Sequence, residues 1–307
     1  MSSEHEFDHI DWIRERVAAH SRLDVGIGDD TASIRFPSAA DCLVTVDMLM
    51  EGVHFTLPPA TPKAIGHKAL AVNLSDIAAM AGRPLAATVS LALPRSRGIE
   101  FARELHRGIH ETADKFGVAL AGGDTNVWDG PLVISVNVLG EATGNGPVLR
   151  SGAQVGDWLL VTGTLGGSLA GRHLTFRPRI NEALKLNERA HLHAMIDLSD
   201  GLASDLYHIL DESHAGAVLY ANRIPISEAA RASAVEKTPI QQAIGDGEDF
   251  ELLFAVVPDD ARALLADPPF DTQLTHVGEV VAGSSCVIEH NDGTSQKLPR
   301  SGWQHQF

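Results

Sequence analysis

The sequence contains few cysteines and no long apolar segment. Only Cys42 and Cys286 occur among the 307 residues, and they lie far apart, which argues against a disulfide framework or a zinc knuckle and favours a reducing cytoplasm. The first 20 residues are charged and have no apolar core, so we do not expect a signal peptide or an anchor there. No apolar run reaches about 18 residues, so no transmembrane helix is predicted.

Lysine and arginine are scarce relative to acidic residues. The chain has 24 basic and 40 acidic side chains, which gives a formal net charge of −16. A chain this acidic is not expected to bind nucleic acid or an anionic membrane surface. If it binds phosphates, bound metal ions would have to supply the missing positive charge. The simpler alternative is that the excess acid only keeps the protein in solution.

Common nucleotide-binding and hydrolase motifs are also missing. The sequence has no GxxxxGK[ST] loop, no protein-kinase motif set, no HExxH and no GxSxG. Gly163 to Gly171 form a glycine-rich stretch that either approaches a ligand or simply turns from a strand into a helix. His106 and His110 stand four residues apart on a predicted helix. That spacing suits a metal ion, but it is better explained by a solvated helix face.

Helix and strand patterns alternate along the whole chain, which predicts an α/β (α+β) fold. Pro62 begins a long helical pattern, and β-branched stretches predict strands at Cys42 to Asp47 and at Val118 to Ala121, the latter running into Gly-Gly-Asp. The glycine-rich stretch GEATGNGP separates the two halves. We therefore predict an N-terminal domain of residues 1–147 and a C-terminal domain of residues 148–307.

Carboxylates set among glycines and other small residues are the most informative feature. The stretches are Gly28-Asp29-Asp30, Thr45-Val46-Asp47, Asn73-Leu74-Ser75-Asp76, Gly122-Gly123-Asp124, Asp197-Leu198-Ser199-Asp200-Gly201 and Gly247-Glu248-Asp249. Several stand where an apolar strand is predicted to end, which is where open α/β sheets place ligands. Any single Asp is better explained as a turn former or a helix cap, as Asp200 is before the predicted Leu202 helix. The whole set favours a shared metal role, because Mg²⁺ prefers such hard oxygen donors.

Charge and chemistry together favour phosphoryl transfer. A reaction that joins ATP to a second phosphate compound brings many negative charges together, and several Mg²⁺ ions held by Asp side chains would neutralise them. A phosphate acceptor is already ionised near neutral pH and needs no general base. We therefore assign no catalytic side chain, and the protein's task would be positioning and charge neutralisation.

Seven stretches and the C-terminus resemble the thiamine-monophosphate kinase family, within the aminoimidazole ribonucleotide synthetase superfamily. They are GIGDDTA (26–32), VTVDMLMEGVHF (44–55), GHKALAVNLSDIAAMAGRP (66–84), LAGGDT (120–125), RSGAQVGDWLLVTGTLG (150–166), IDLSDGLASDL (196–206), GEDFELLF (247–254) and GWQHQF (302–307). Because they span nearly the whole chain in the family's order, the resemblance applies to both predicted domains.

The resemblance implies a two-domain aminoimidazole ribonucleotide synthetase-like fold and a homodimer joined through N-terminal-domain strands. It implies direct in-line transfer of the ATP γ-phosphate to thiamine monophosphate, giving thiamine diphosphate, in a phosphotransferase that uses a phosphate group as acceptor. ATP and the acceptor would bind at the dimer and domain interface. ATP serves as co-substrate, and several Mg²⁺ ions serve as the cofactor.

The same resemblance assigns site residues by position. The positions that match magnesium ligands are Asp30, Thr45, Val46 (through its backbone carbonyl), Asp47, Asp76, Asp124, Asp197 and Asp200. The positions that match ATP contacts are Gly123, Asp124, Arg150, Ser199 and His106, the last of which stands where the family often has an aromatic residue. The positions that match contacts to thiamine monophosphate are His54, Glu248 and Trp303.

Two other functions are kept as alternatives. An amidine-forming ligase of purine synthesis, from the same superfamily, would share ATP and Mg²⁺ but would attack an amide or formyl oxygen. A non-catalytic protein that binds divalent cations would use the acidic loops without turning over nucleotide, and it would leave Arg150 and the glycine-flanked loops unexplained.

Overall fold

A computed structural model describes residues 13, 15–16, 20–25, 33–34, 36, 41–144 and 146–303. The chain divides into two compact units. The first contains Met1–Ile77 and Arg83–Ala142, and the second contains Ala78–Gly82 and Thr143–Phe307. The domain boundary predicted after residue 147 stays a prediction. The sequence also predicts a short amphipathic helix at Phe7 to Ala18, which falls largely outside the described residues.

A four-stranded sheet forms the centre of the first unit. Its strands are β3 (Cys42–Met50), β4 (Arg83–Pro94), β5 (Ala119–Trp128) and β6 (Val133–Glu141), which follow the short antiparallel pair β1 (Leu23–Val25) and β2 (Ser33–Ile34). The sheet order is β3-β6-β4-β5, with β4 and β5 parallel and the other neighbours antiparallel. β3 and β5 are therefore the two edges of this sheet.

Two long helices belong to the first unit, α1 (Pro62–Ala79) and α2 (Gly98–Phe116). α1 is apolar on most sides and is largely buried, with Ile65, Leu70 and Leu74 fully covered. α2 ends at Gly117, whose left-handed backbone (φ 66°) lets its N–H cap the helix, as the sequence indicates. The helices touch through glycines: a Cβ on Gly66 would lie 2.0 Å from the Leu105 oxygen.

A seven-stranded, mainly antiparallel sheet forms the second unit. Its strands are β7 (Trp158–Thr162), β8 (Leu192–Asp197), β9 (Gly216–Tyr220), β10 (Leu252–Val256), β11 (Leu274–Val281), β12 (Cys286–Glu289) and β13 (Ser295–Lys297). The order is β13-β12-β9-β11-β7-β10-β8, with only β12 and β9 parallel. The sequence Asn291-Asp292-Gly293 predicts a hairpin turn, and this prediction is confirmed, because β12 and β13 pair antiparallel on either side of it.

Five helices accompany this sheet. They are α3 (Ile180–Arg189), α4 (Leu202–Ser213), α5 (Glu228–Ala232), α6 (Pro239–Gly245) and α7 (Pro258–Ala266). One hydrophobic cluster joins β7, β8 and β10 to α4 through buried side chains such as Val161, Ile196, Leu206 and Leu253. Among the described residues, no helix combines the length and apolar character that a membrane crossing requires.

Two strand ends differ from the sequence prediction. Asp47 lies inside β3, which continues to Met50, and Asp124 lies inside β5, which continues to Trp128. The expectation that these carboxylates follow the ends of strands is therefore wrong. In β5 the glycines do not end the strand, because a side chain at Gly123 would lie 1.8 Å from the Val89 oxygen and its absence lets β4 pair closely. Asp197 is the last residue of β8.

Candidate active site

Thr45 and Asp47 on β3 lie against Asn73 and Asp76 on α1. The Thr45 hydroxyl donates to Asp76 Oδ2 at 2.5 Å, and the Asp47 backbone N–H donates to Asn73 Oδ1 at 3.1 Å. Asn73 is buried and donates in turn to the Ala69 carbonyl at 3.1 Å, so its own position is fixed. The two carboxylates are half-buried, and the group offers carboxylate and hydroxyl oxygens. This donor set fits a hard divalent cation such as Mg²⁺.

Val46 and Asn73 complete this part of the site in different ways. Val46 is 61% exposed, and because its aliphatic side chain has no donor atom, the predicted ligand is its backbone carbonyl. Asn73 belongs to a stretch that the sequence analysis quoted for Asp76, but no function was predicted for it. Its spacing of three residues from Asp76 on one helix is the signal that predicts a shared face.

Asp124 does not join the Asp47 group within one chain. β5 is the edge opposite β3, so three strand spacings, about 14 Å, separate their backbones. Asp124 is exposed, and its Oδ2 accepts the Asn126 amide at 2.8 Å. The structure therefore brings Thr45, Asp47 and Asp76 together and leaves Asp124 and Gly123 apart from them. Asp30 lies outside the described residues.

In the second unit, three distant stretches meet beside the end of β8. The backbone N–H of Glu248 donates to the Ser199 oxygen at 2.7 Å, and that of Trp303 donates to the Asp200 oxygen at 3.1 Å. Asp197, at the end of β8, is buried. The structure thus gathers five of the residues selected from the sequence, which are Asp197, Ser199, Asp200, Glu248 and Trp303.

An acidic group stands at the start of α4. Within the described part of the chain, Asp200, Asp205 and His208 place one possible ligand atom each within 4.8 Å of one another. The Asp205 carboxylate accepts the backbone N–H groups of Asp200 and Gly201, both at 3.1 Å. Burial, and then the charges of Asp197 and Asp200, raise the pKa of Asp205 to about 8.

The alternative function for Asp200 as a helix cap is wrong. The N-cap of α4 is Gly201, without a side-chain cap, and the Asp205 carboxylate accepts the backbone N–H groups of Asp200 and Gly201, which precede the helix. Neither Asp205 nor His208 was selected from the sequence. Their spacing of three residues within one helix, following Asp200, is the pattern that could have identified them.

The chain matches two family models over most of its length. Residues 28–142 match the AIR synthase related protein, N-terminal domain, and residues 154–291 match its C-terminal domain. Thiamine-monophosphate kinase of Rhodopirellula baltica is 44% identical over 90% of this chain and 89% of its own length. The chain belongs to the thiamine-monophosphate kinase family.

Solved structures of this thiamine-monophosphate kinase family share the fold. The crystal structure of thiamine-monophosphate kinase from Stenotrophomonas maltophilia K279a is 34% identical, with a TM-score of 0.82 over 95% of this chain and 98% of that one. AaThiL complexed with AMPPCP and TMP is 30% identical, with a TM-score of 0.77 over 98% and 97% of the two chains. The predicted two-domain fold of the aminoimidazole ribonucleotide synthetase type is therefore confirmed.

His54 and His106, which the sequence assigned to the two substrates, have very different surroundings. His54 is half-buried, accepts the Met50 backbone N–H on Nδ1 at 3.0 Å, and its carbonyl accepts the ammonium of the buried Lys68 at 2.9 Å. His106 is buried on α2 and its ring stacks on that of His110, with the ring centres 6.4 Å apart. The prediction of a solvated face is therefore wrong for His106, because this face of α2 packs inside the unit.

Arg150 is exposed and lies beside β8. The carbonyl of its neighbour Leu149 accepts the Met195 backbone N–H at 2.9 Å, and its own carbonyl accepts the Ser213 hydroxyl at 3.3 Å. These bonds fix the Arg150 backbone two residues along β8 from Asp197 and leave its guanidinium in solvent. That location is compatible with its predicted contact to ATP.

Proposed function

We propose that the protein transfers the γ-phosphate of ATP to the phosphate of thiamine monophosphate and so forms thiamine diphosphate. The observation that carries this proposal is the match, over nearly the whole chain, to thiamine-monophosphate kinases, one of them solved with AMPPCP and TMP. The purine ligase alternative receives no comparable support. The cation-binding alternative is separated from catalysis by the experiment below.

The protein contributes positioning and charge rather than a general base. Transfer is in line, and the acceptor oxygen is already ionised near neutral pH. Several Mg²⁺ ions, when bound, would neutralise the crowded phosphates. The residues proposed to hold them are Asp30, Thr45, the Val46 carbonyl, Asp47, Asp76, Asp124, Asp197 and Asp200. The oxygen donors gathered on β3 and α1 support this assignment.

The two substrates are assigned to different residues. We propose that Gly123, Asp124, Arg150 and Ser199 contact ATP, and that His54, Glu248 and Trp303 contact thiamine monophosphate. The backbone bonds that bring Ser199 and Glu248 together support neighbouring places for the two substrates in the second unit. We keep His106 in the ATP set, but with an indirect role. Because its ring is buried, it would act on the nucleotide through the packing of α2.

A homodimer is part of the proposal. On β3, alternate residues point outward and are between 37% and 63% exposed; they are Val44, Val46, Met48 and Met50. An exposed apolar strand face of this kind is expected to be covered by another surface. Pairing of a second copy's β3 edge with the β5 edge would be a separate contact, and it would bring the Asp47 of that copy towards the Asp124 that one chain alone keeps apart.

A reducing cytoplasm suits the proposal. Both cysteines are free, with Cys42 exposed and Cys286 buried. Burial raises the pKa of the Cys286 thiol to about 12, which keeps it protonated and unreactive.

The decisive experiment incubates the purified protein with ATP, Mg²⁺ and thiamine monophosphate and follows thiamine diphosphate. Free thiamine is tested in parallel as an alternative acceptor. We expect diphosphate formation that EDTA abolishes and Mg²⁺ restores. Metal binding without turnover would support the cation-binding alternative, and full turnover without divalent metal would overturn the mechanism.

A further inference from the structure

A buried ion-pair network lies directly behind the half-exposed Glu248. The Glu251 carboxylate is fully buried and accepts both Nε and Nη2 of Arg179, at 2.7 and 2.6 Å. It also accepts the Thr162 hydroxyl at 2.7 Å and forms an ion pair with Arg172. A two-pronged guanidinium contact fixes a carboxylate in both distance and orientation, which a single ammonium does not.

Glu248 itself has a backbone conformation that its residue type disfavours. Its φ is 60°, and that of Phe250 is 50°, both in the left-handed region that side chains with a Cβ rarely adopt. Such a conformation persists where neighbouring contacts enforce it, and it often occurs at ligand-binding loops. The contacts that enforce it here come from the residues that follow Glu248.

Three consecutive buried residues after Glu248 supply those contacts. The Asp249 carboxylate accepts the Gly166 N–H at 2.9 Å and the Ser168 hydroxyl. The ring of Phe250 stacks on that of Phe176, with the ring centres 3.9 Å apart. All three residues after it are buried, whereas Glu248 itself is half-exposed.

A short backbone ladder connects Glu251 to Glu248. The Glu251 carbonyl accepts the Leu198 N–H at 2.8 Å, and the Leu198 carbonyl accepts the Phe250 N–H at 2.8 Å. The Ser199 carbonyl then accepts the Glu248 N–H at 2.7 Å. A displacement of Glu251 would therefore pass along this ladder to both Glu248 and Ser199.

We propose that Arg179, through its two-pronged contact with Glu251, is a positioning residue that orients Glu248 for the phosphate-bearing thiamine acceptor. The inference rests on the proposed function, in which Glu248 contacts that acceptor. Arg172, which directly follows the glycine-rich stretch, pairs with the same Glu251 carboxylate. Its guanidinium also donates to the Thr164 carbonyl within that stretch, at 2.7 Å. This gives the Gly163 to Gly171 stretch a function that the sequence left open.

The test compares Arg179→Lys with the wild type and with the matched control Arg189→Lys. Lysine keeps the charge but loses the two-pronged contact, whereas Arg189 makes a surface pair with the exposed Asp267 at 3.0 Å. We expect Arg179→Lys to raise the KM for thiamine monophosphate about tenfold and to leave the KM for ATP within about twofold. An unchanged acceptor KM together with a lowered melting temperature would mean a purely structural role and would overturn the inference.

A double-mutant cycle tests whether Arg179 acts through Glu248. Glu248→Gln alone is expected to raise the acceptor KM, and adding Arg179→Lys to it should change that KM little further. Independent, multiplicative effects would contradict the proposal. If Arg179→Lys does not fold, the half-exposed Arg172→Lys replaces it in the same cycle.

Hydrogen exchange separates this inference from the proposed function. The amides of Glu248 and Phe250 should lose protection in Arg179→Lys and keep it in Arg189→Lys. Unchanged protection at residues 247–250 would overturn the inference even if the wild type makes thiamine diphosphate. Lost protection in Arg179→Lys, combined with a wild type that does not phosphorylate thiamine monophosphate, would keep the network and reject only the proposed function.

Discussion

Asp47 has a backbone role and a side-chain role that are separable. Its N–H bonds to Asn73 and holds β3 against α1, while its carboxylate is the proposed metal ligand. Substitution by Asn keeps the first role and removes the charge of the second. A defect in Asp47→Asn would therefore report on the ligand function rather than on folding.

We expect Asp47→Asn to lower turnover by roughly a hundredfold or more, because a fixed charge at the transferring phosphate is lost. The melting temperature should stay close to that of the wild type. Asp129→Asn is the control, because Asp129 is exposed and pairs with Arg95 at 3.1 Å on the surface. Near-normal turnover of Asp47→Asn in steady-state assays would remove Asp47 from the metal site.

The raised pKa of the Asp249 carboxyl group makes the stability of the protein depend on pH. Burial raises its pKa to about 6 from 3.8, although bonds from Ser168 and Gly166 favour the ionised form. Between these values the native state keeps a proton that the unfolded chain has released, so the free energy of unfolding falls as pH rises. The loss is complete above pH about 6 and amounts to about 3 kcal/mol.

Asp249→Asn should remove this part of the pH dependence. Urea unfolding at about pH 4.5 and about pH 7.5 measures it, and the variant should lose less stability than the wild type between the two. Asp259→Asn, an exposed residue paired with Arg262, is the control. Equal slopes in wild type and Asp249→Asn would show that Asp249 is ionised throughout.

The sequence allowed a prediction of which residues carry oxygen donors, but not of the contacts that fix them. Asp47 and Asp76 were selected as carboxylates among small residues, and Thr45 was assigned by its position in a stretch that resembles the family. Arg179 and Glu251 are 72 residues apart, so no periodic pattern connects them. Their association depends on how β10 and the segment before α3 fold together, which local propensity does not determine.

At the scale of elements, helix α1 positions Asn73 and Asp76, and its own position depends on α2. A Cβ on Gly108 would lie 1.9 Å from the Lys63 oxygen, and one on Gly66 would meet Leu105 as closely. The two helices therefore approach backbone to backbone. The sequence marks both glycines but does not show that they face each other.

Gly108→Ala should destabilise the protein by about 3 kcal/mol and reduce activity with it. The direction of this stability change is informative, because the same substitution within an isolated helix is stabilising by about 1 kcal/mol. Denaturant unfolding measures the effect, with Glu100→Ala on the exposed side of α2 as the control. A Gly108→Ala variant as stable as the wild type would mean that the helices are not this close.

At the scale of the whole molecule, the order of the strands in each sheet could not be predicted from the sequence. The predicted strands mostly exist, but a β3-β6-β4-β5 order follows from pairings between distant segments. That order determines which ligands can meet. It places Asp47 and Asp124 on opposite edges, so a ligand set drawn from the sequence as one group is divided within a single chain.

Mixing two inactive variants tests whether a partner copy completes the site. If Asp47 of one protomer works with Asp124 of its partner, a heterodimer of Asp47→Asn and Asp124→Asn contains one site with both residues intact and one site with neither. Differently tagged copies, co-expressed and purified over both tags, should then show about half the wild-type turnover per dimer, while each homodimer is inactive. A heterodimer of wild type and Asp129→Asn should be fully active. If both residues serve the same protomer's site, every site in the mixed dimer lacks one of them, and the mixed dimer would be as inactive as its parents.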